Sequence, residues 1–167
     1  MQRAQRIAVG LAVAFLGVSV VVAAESGWFV PFERVPVAPV ARSSTAQLVD
    51  GGTVETDGFA QLEFSLGGEF KEGIPEKGTV GALLIPDMDP FLLLFRTEGQ
   101  ILAALEVKIT VGGGGRIFLS KETSARIAFP RYRVFFYNET SSGAVLWLYL
   151  YKTRCAGASA RGPVVPS

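Results

Sequence analysis

Residues 131–154 have the clearest local pattern in the chain: Arg131-Tyr-Arg-Val-Phe-Phe-Tyr-Asn-Glu-Thr-Ser-Ser-Gly-Ala-Val-Leu-Trp-Leu-Tyr-Leu-Tyr-Lys-Thr-Arg154. Two runs rich in aromatic and β-branched residues flank a polar cluster that contains Gly143. This arrangement predicts a β-hairpin. In the second run aliphatic and aromatic residues alternate, and a strand directs such alternating sets to opposite faces.

The turn sets a register for this predicted hairpin. A turn at residues 140–142, with Gly143 in a left-handed bulge position, pairs Phe135 with Trp147. The same register pairs Arg133 with Tyr149 and Arg131 with Tyr151. The inward positions, expected in the core, are Val134, Phe136, Leu146, Leu148 and Leu150. The outward positions form one predicted contact surface, which consists of Arg131, Arg133, Phe135, Trp147, Tyr149 and Tyr151.

Three interpretations of this surface stay open at the level of sequence. It can contact another subunit, because Trp, Tyr and Arg dominate the binding energy of protein interfaces. Its aromatic rings can instead stack on sugar rings. Both faces of the hairpin can also be buried within the domain, with the arginines reaching to the rim.

The composition excludes most catalytic chemistry. The 167 residues contain no histidine and one cysteine, Cys155. Cys/His dyads, Ser-His-Asp triads and metal sites built on imidazole are therefore excluded, and no internal disulfide can form. The formal net charge of +1 gives no footprint for nucleic acid. We expect a non-enzymatic protein without cofactor or metal, and a single domain follows from the length.

Residues 1–24 predict a segment that enters a membrane. Arg3 and Arg6 precede a run of eighteen uncharged, mostly apolar residues that ends before Glu25. This N-terminal hydrophobic helix is either a signal peptide cleaved after Ala24 or an uncleaved membrane anchor. In both cases the arginines stay cytoplasmic and the following domain lies outside the cytoplasm, secreted or anchored.

Residues 25–45 are rich in proline, which disfavours a helix. They are interpreted as an extended arm or spacer, with a first edge strand of the domain as an equal alternative. Aromatic residues just outside an apolar run also suit a membrane interface. The candidates for that contact are Trp28, Phe29 and Phe32.

Residues 46–154 predict an all-β domain, because glycine- and proline-rich turns separate short apolar runs. Clean alternation places Leu62, Phe64 and Leu66 inward. The predicted strands are 47–55, 59–66, 79–85, 91–96, 101–111, 116–120, 124–128 and the two hairpin arms. About eight to nine strands in an antiparallel two-sheet β-sandwich follow, with a jelly-roll-like topology. Residues 155–167 are expected to form a flexible tail.

Two short motifs match known types of site, but each match is a weak signal. Asp87-Met88-Asp89 offers carboxylates for calcium, but too few oxygens lie nearby, and acidic residues in a proline-bounded turn are the simpler interpretation. Asn138-Glu139-Thr140 matches an N-glycosylation acceptor at the predicted hairpin tip.

These features together indicate an extracytoplasmic structural protein that packs into a larger assembly. A virion coat, a surface layer or filament, and an accessory subunit of a membrane complex are the candidates, with further copies or other assembly subunits as partners. A secreted carbohydrate-binding β-sandwich module is the alternative. One asparagine, one cysteine and two methionines suggest a thermophilic source.

Overall fold

The computed structural model describes residues 29–112 and 115–154. Nine strands and one helix occur in this part of the chain, and a 3-10 turn spans Thr45–Gln47. The elements are β1 Phe29–Val37, β2 Val49–Glu55, β3 Gln61–Phe70, β4 Lys77–Pro86, α1 Phe91–Glu98, β5 Leu105–Gly112, β6 Ile117–Leu119, β7 Thr123–Arg126, β8 Arg131–Asn138 and β9 Ala144–Thr153. The leader at residues 1–24 and the tail at residues 155–167 lie outside the described residues.

The strands form two antiparallel sheets that pack as a sandwich. Sheet A has the order β1-β9-β3, followed by β6 and β7, which both pair with β3. Sheet B has the order β2-β8-β4-β5. The pairing is nested, since the first strand pairs with the last and the second pairs with the one before it. The predicted all-β, two-sheet class is confirmed.

The core lies between the two sheets and follows the alternation in the sequence. The residues predicted to point inward are buried there: Leu62, Phe64, Leu66, Val134, Phe136, Leu146, Leu148 and Leu150. Side chains of β1, β4 and β5 fill the rest, including Val37, Val80 and Val107. The period-two pattern thus assigned these side chains to the correct face.

The predicted hairpin of β8 and β9 is wrong. Strand β8 pairs with β2 and β4 in sheet B, whereas β9 pairs with β1 and β3 in sheet A. The connection between them crosses the sandwich, so the predicted pair of Phe135 with Trp147 does not exist. Alternation determines which side chains share a face, but it does not determine which strand is the neighbour.

The predicted strand at 91–96 is also wrong, because Phe91–Glu98 form helix α1. Pro90 precedes the helix, and Gly99 ends it in a left-handed conformation in which its N–H bonds to Leu94 O and Phe95 O. Phe95 is buried, while Leu93 on the far side is 54% exposed. Only one side of this short helix packs on sheet B, so the apolar residues 91–95 are not all buried. No helix among the described residues is long and apolar enough to cross a membrane.

The proline-rich segment joins the sandwich as an edge strand. Strand β1 pairs antiparallel with β9 and carries two register shifts. Pro31 and Pro36 are tolerated because an edge strand has one side without sheet partners. Residues 29–37 are therefore the first edge strand of the domain, the second of the two interpretations given for this segment.

The side chain of Asn138 holds together the crossing from β8 to β9. Its Nδ2 donates to Val37 O at 3.1 Å and to Ser142 O at 2.8 Å. Its Oδ1 accepts from Thr140 N at 3.1 Å and from Thr140 Oγ1 at 2.7 Å. The backbone of Asn138 also exchanges hydrogen bonds with Val40. The amide uses its full hydrogen-bonding capacity inside the fold.

This burial also corrects the glycosylation interpretation. Asn138 has no exposed surface, and both protons of its amide are donated to carbonyl groups. A glycan on Nδ2 would need the amide to reach solvent. In the folded chain the motif is a structural turn.

We expect Asn138→Ala to lower the free energy of unfolding by about 3 kcal/mol, since buried groups would lose their partners. Urea unfolding of the purified chain, followed by tryptophan fluorescence, measures this change. Ser141→Ala is the matched control, because Ser141 is exposed in the same turn. A loss no greater than that of Ser141→Ala would contradict the structural role of the amide.

Candidate functional site

The aromatic residues of β9 lie on the outer face of sheet A. Trp147, Tyr149 and Tyr151 are partly exposed there, whereas the leucines between them point into the core. The strand alternates between these two sets along its length. This half of the predicted contact surface faces outward, as the sequence indicates.

Two further strands extend the same face with apolar side chains. Leu119 and Ile117 of β6 are 68% and 74% exposed, the highest values among large apolar residues in the described chain. Gly67 of β3 lies between Trp147 and Leu119 in the sheet. A Cβ at Gly67 would lie 3.2 Å from Tyr149 Cε2 and 3.4 Å from Leu119 Cδ1. Glycine therefore lets the side chains of β9 and β6 approach each other.

We call Trp147, Tyr149, Tyr151, Ile117 and Leu119 the sheet A surface. An open groove of about 630 Å³ adjoins it. The groove is lined by Ser65, Leu119, Ser120, Lys121, Glu122 and Tyr149. An aromatic ring thus stands beside a cation, a carboxylate and two hydroxyls. This combination can pack on another protein or stack on and hydrogen-bond a polar ring.

The other half of the predicted surface lies on the opposite side of the molecule. Arg131, Arg133 and Phe135 belong to β8 in sheet B. Phe135 is buried against Phe95 of α1, with ring centroids 4.6 Å apart. The prediction of one joint surface is therefore wrong, because its two strands belong to different sheets.

The two arginines of β8 are engaged in ion pairs within the domain. Arg131 Nε lies 2.8 Å from Asp87 Oδ2, and Arg133 Nε lies 3.2 Å from Asp87 Oδ1. Arg133 Nη1 lies 3.0 Å from Asp50 Oδ2. Hydrogen bonds to Asp50 and then to Asp87 raise the pKa of Arg133. The carboxylate of Asp87, considered above as a calcium ligand, joins the α1 loop to β8.

The outer face of sheet B is covered by the chain itself over the central strands β8 and β4. Helix α1 and the 3-10 turn pack on it and create a second small core. This core contains Leu48, Leu83, Ile85, Phe95, Phe135 and Tyr137. Among the described residues no comparable element packs on the outer face of sheet A. The sheet A surface is thus the face that the described chain leaves open.

Tyr137 anchors a polar cluster at the margin of this second core. Its hydroxyl donates to Glu106 Oε1 at 2.8 Å, and Arg42 Nε lies 3.0 Å from the same oxygen. A Cβ at Gly81 would lie 2.3 Å from the ring of Tyr137, so glycine is needed for the ring to cross β4. Burial, followed by the bond to Glu106, raises the pKa of Tyr137 far above its ordinary value.

The predicted membrane-interface residues have different locations. Phe32 is buried and packs edge to face on Phe136, with ring centroids 6.0 Å apart, so it is a core residue. The ring of Phe29 is partly buried, and Lys152 Nζ lies 5.1 Å from its centroid. Burial lowers the pKa of Lys152. Trp28 lies outside the described residues.

Sequence reasoning did not single out Ile117, Leu119 or Ser65. Ile117 and Leu119 have period-two spacing within a predicted strand, but Phe118 between them is apolar as well. The pattern alone could not show which set faces solvent. No protein-family model matches this chain, and no curated protein matches it either.

The raised pKa of Tyr137 leads us to expect that the free energy of unfolding falls at alkaline pH. Its raised pKa means that the folded state keeps the phenolic proton above pH 10.0, where an unfolded tyrosine ionises. The stability it contributes is complete below that pH and is lost as the pH rises toward the folded pKa. Between about pH 10 and about pH 12, wild type should lose unfolding free energy more steeply than Tyr137→Phe.

Urea unfolding at each pH gives this comparison, with Ser141→Ala as the background control. At pH 7 we expect Tyr137→Phe to be about 1 kcal/mol less stable, because Glu106 loses a hydrogen-bond donor. Equal slopes above pH 10 for wild type and Tyr137→Phe would contradict the assignment.

Proposed function

We propose that this chain is a non-enzymatic, extracytoplasmic assembly protein that packs laterally on neighbouring subunits through the sheet A surface. The supporting observation is that the chain covers one face of its sandwich and leaves aromatic and aliphatic side chains on the other. Leu119 protrudes beside Tyr149, and Ile117 protrudes two residues away on the same strand. A virion coat, a surface layer or filament, or an accessory position on a membrane complex would each use such a subunit.

The energetics of burial favour a protein contact at this surface. Burying an exposed leucine or isoleucine contributes about 1.5–3 kcal/mol when it is fully removed from water. Trp147 and Tyr149 add rigid rings of the kind that dominate binding energy in interfaces. The preorganised strands β9 and β3 hold these rings, so little conformational entropy is lost when a neighbour binds.

The strand order supports a jelly-roll topology as the finer description of the fold. Nested pairing of first with last strands, folded over into two sheets, is the arrangement of a long hairpin rolled into a sandwich. Jelly rolls occur in viral coats and in lectin domains. The fold is therefore compatible both with assembly and with glycan binding. The choice between these two functions depends on the side chains of the exposed surface.

The placement outside the cytoplasm rests on the leader. Two arginines before an apolar run of eighteen residues suit export or anchoring. If residues 1–24 stay attached, the membrane is a further partner. An anchored subunit diffuses in two dimensions, which favours lateral contacts even when each contact is weak.

The groove beside Tyr149 favours one alternative function, a secreted carbohydrate-binding module. Tyr149 can stack on a sugar ring, and Ser65, Ser120 and Glu122 can accept or donate hydrogen bonds to its hydroxyls. Ser120 Oγ already bonds to Leu66 N at 2.9 Å, so part of this capacity is used within the fold. We therefore rank assembly first.

We expect the full-length chain to form species larger than a dimer, and Ile117→Ser/Leu119→Ser to weaken their formation at least about tenfold, because two exposed apolar side chains are lost. Light scattering after size exclusion, across a range of concentrations in neutral detergent, measures it. Leu93→Ser is the matched control, since Leu93 is an exposed leucine on the covered side.

Unchanged association in the double variant, with Leu93→Ser also unchanged, would exclude the sheet A surface as the contact. Retardation of a monomeric wild type by polysaccharide, abolished by Tyr149→Ala, would favour the carbohydrate-binding alternative. Circular dichroism of each variant establishes that the sandwich is folded.

A further inference from the structure

The edge strands of the two sheets differ in how they block pairing with other chains. An unprotected edge presents free N–H and C=O groups that can template a further strand. Strand β1 carries Pro31, Pro36 and two register shifts, and β2 is shifted between Asp50 and Gly52. Strands β6 and β7 are only three and four residues long. These edges are all interrupted or short.

Strand β5 lacks each of these features. It spans eight residues without proline and keeps an unbroken register with β4 from Gly112 to Leu105. Within residues 29–112 and 115–154, no strand pairs with its other side. Alternate residues of such an edge direct their backbone groups away from the sheet. This edge is therefore ready to accept another strand.

The charges on β5 are arranged symmetrically about Val107. Val107 points into the core, while Glu106 and Lys108 on either side belong to the outer face. Lys108 is exposed and makes no ion pair among the described residues. Glu106 uses Oε1 for Tyr137 and for Arg42. Its second carboxylate oxygen remains available for a cation.

We propose that β5 pairs antiparallel with β5 of a second copy, about a two-fold axis at Val107. This register places Glu106 of each copy opposite Lys108 of the other, which gives two ion pairs across the contact. It also places the partly buried Leu105 opposite Ile109 of the second copy. The two four-stranded B sheets then become one continuous sheet.

A second copy fits this edge better than an unrelated strand, because the charge pattern is complementary to itself in the antiparallel direction. A two-fold contact of this kind closes after two subunits. The contact goes beyond the proposed function and does not rest on it. Strand β5 belongs to the sheet opposite the sheet A surface, so the two contacts are tested with separate variants.

The first test uses full-length chain carrying Ile117→Ser/Leu119→Ser, in neutral detergent with micelles in large excess. We expect this variant to form dimers, and Lys108→Glu in the same background to weaken them about 30-fold, because two attractive pairs become repulsive. Lys71→Glu is the matched control, an exposed lysine outside β5. Dimers unaffected by Lys108→Glu, or a strict monomer, would overturn the proposal.

The second test measures the register. Spin labels on Thr110→Cys, in a Cys155→Ser background, report the distance between copies by pulsed electron resonance. Six residues separate the two Thr110 positions along the paired strands, which places their Cα atoms about 20 Å apart. A distribution centred near that distance, allowing for the label arms, supports the pairing. A clearly different distance, or no dipolar coupling in the dimer, would overturn it.

Discussion

The hydrogen bonds of Asn138 are the constraint on which the rest of the structure depends. Its amide binds Val37 at the end of β1 and Ser142 within the β8–β9 connection. It therefore joins the start of the β1–β2 connection to the β8–β9 connection, two of the connections that pass between the sheets. Once these crossings are adjacent, β1 lies beside β9 and β2 lies beside β8. A tight turn at the same point would have placed β8 and β9 in one sheet.

Splitting β8 from β9 gives the molecule two unlike faces. The outward residues of β8 meet α1, so Phe135 becomes core and Arg133 is held by Asp50 and Asp87. The outward residues of β9 meet no such cover among the described residues. Each face also depends on one glycine. Gly81 leaves room for the ring of Tyr137 on sheet B, and Gly67 leaves room for the ring of Tyr149 on sheet A. The same alternating pattern thus produces a second core on one side and an open apolar face on the other.

The sequence predicted the fold class and most strands because period-two alternation depends on local burial. It failed where a distant partner decides the outcome. The run at 91–98 is apolar enough for a buried strand, and only its packing on Phe135 and its cap at Gly99 make it a helix. Asn138 resembled a hairpin tip because its partners Val37 and Val40 are about a hundred residues away. For the same reason Trp147 and Tyr149 face outward as predicted, but their neighbours are Gly67 and Ser65 of β3 rather than residues of β8.

The two proposed contacts have different consequences for assembly. Pairing of β5 with itself is two-fold and closes, so by itself it yields only a dimer. The sheet A surface lies on the other sheet and remains open in that dimer. A dimer with one such surface on each subunit carries two outward contacts, and repeated use of both contacts builds an open-ended chain. A glycan-binding module would need the groove beside Tyr149 but would have no use for an unprotected β5 edge. The combination of an open apolar face and a regular free edge therefore favours a subunit that is built into a larger structure.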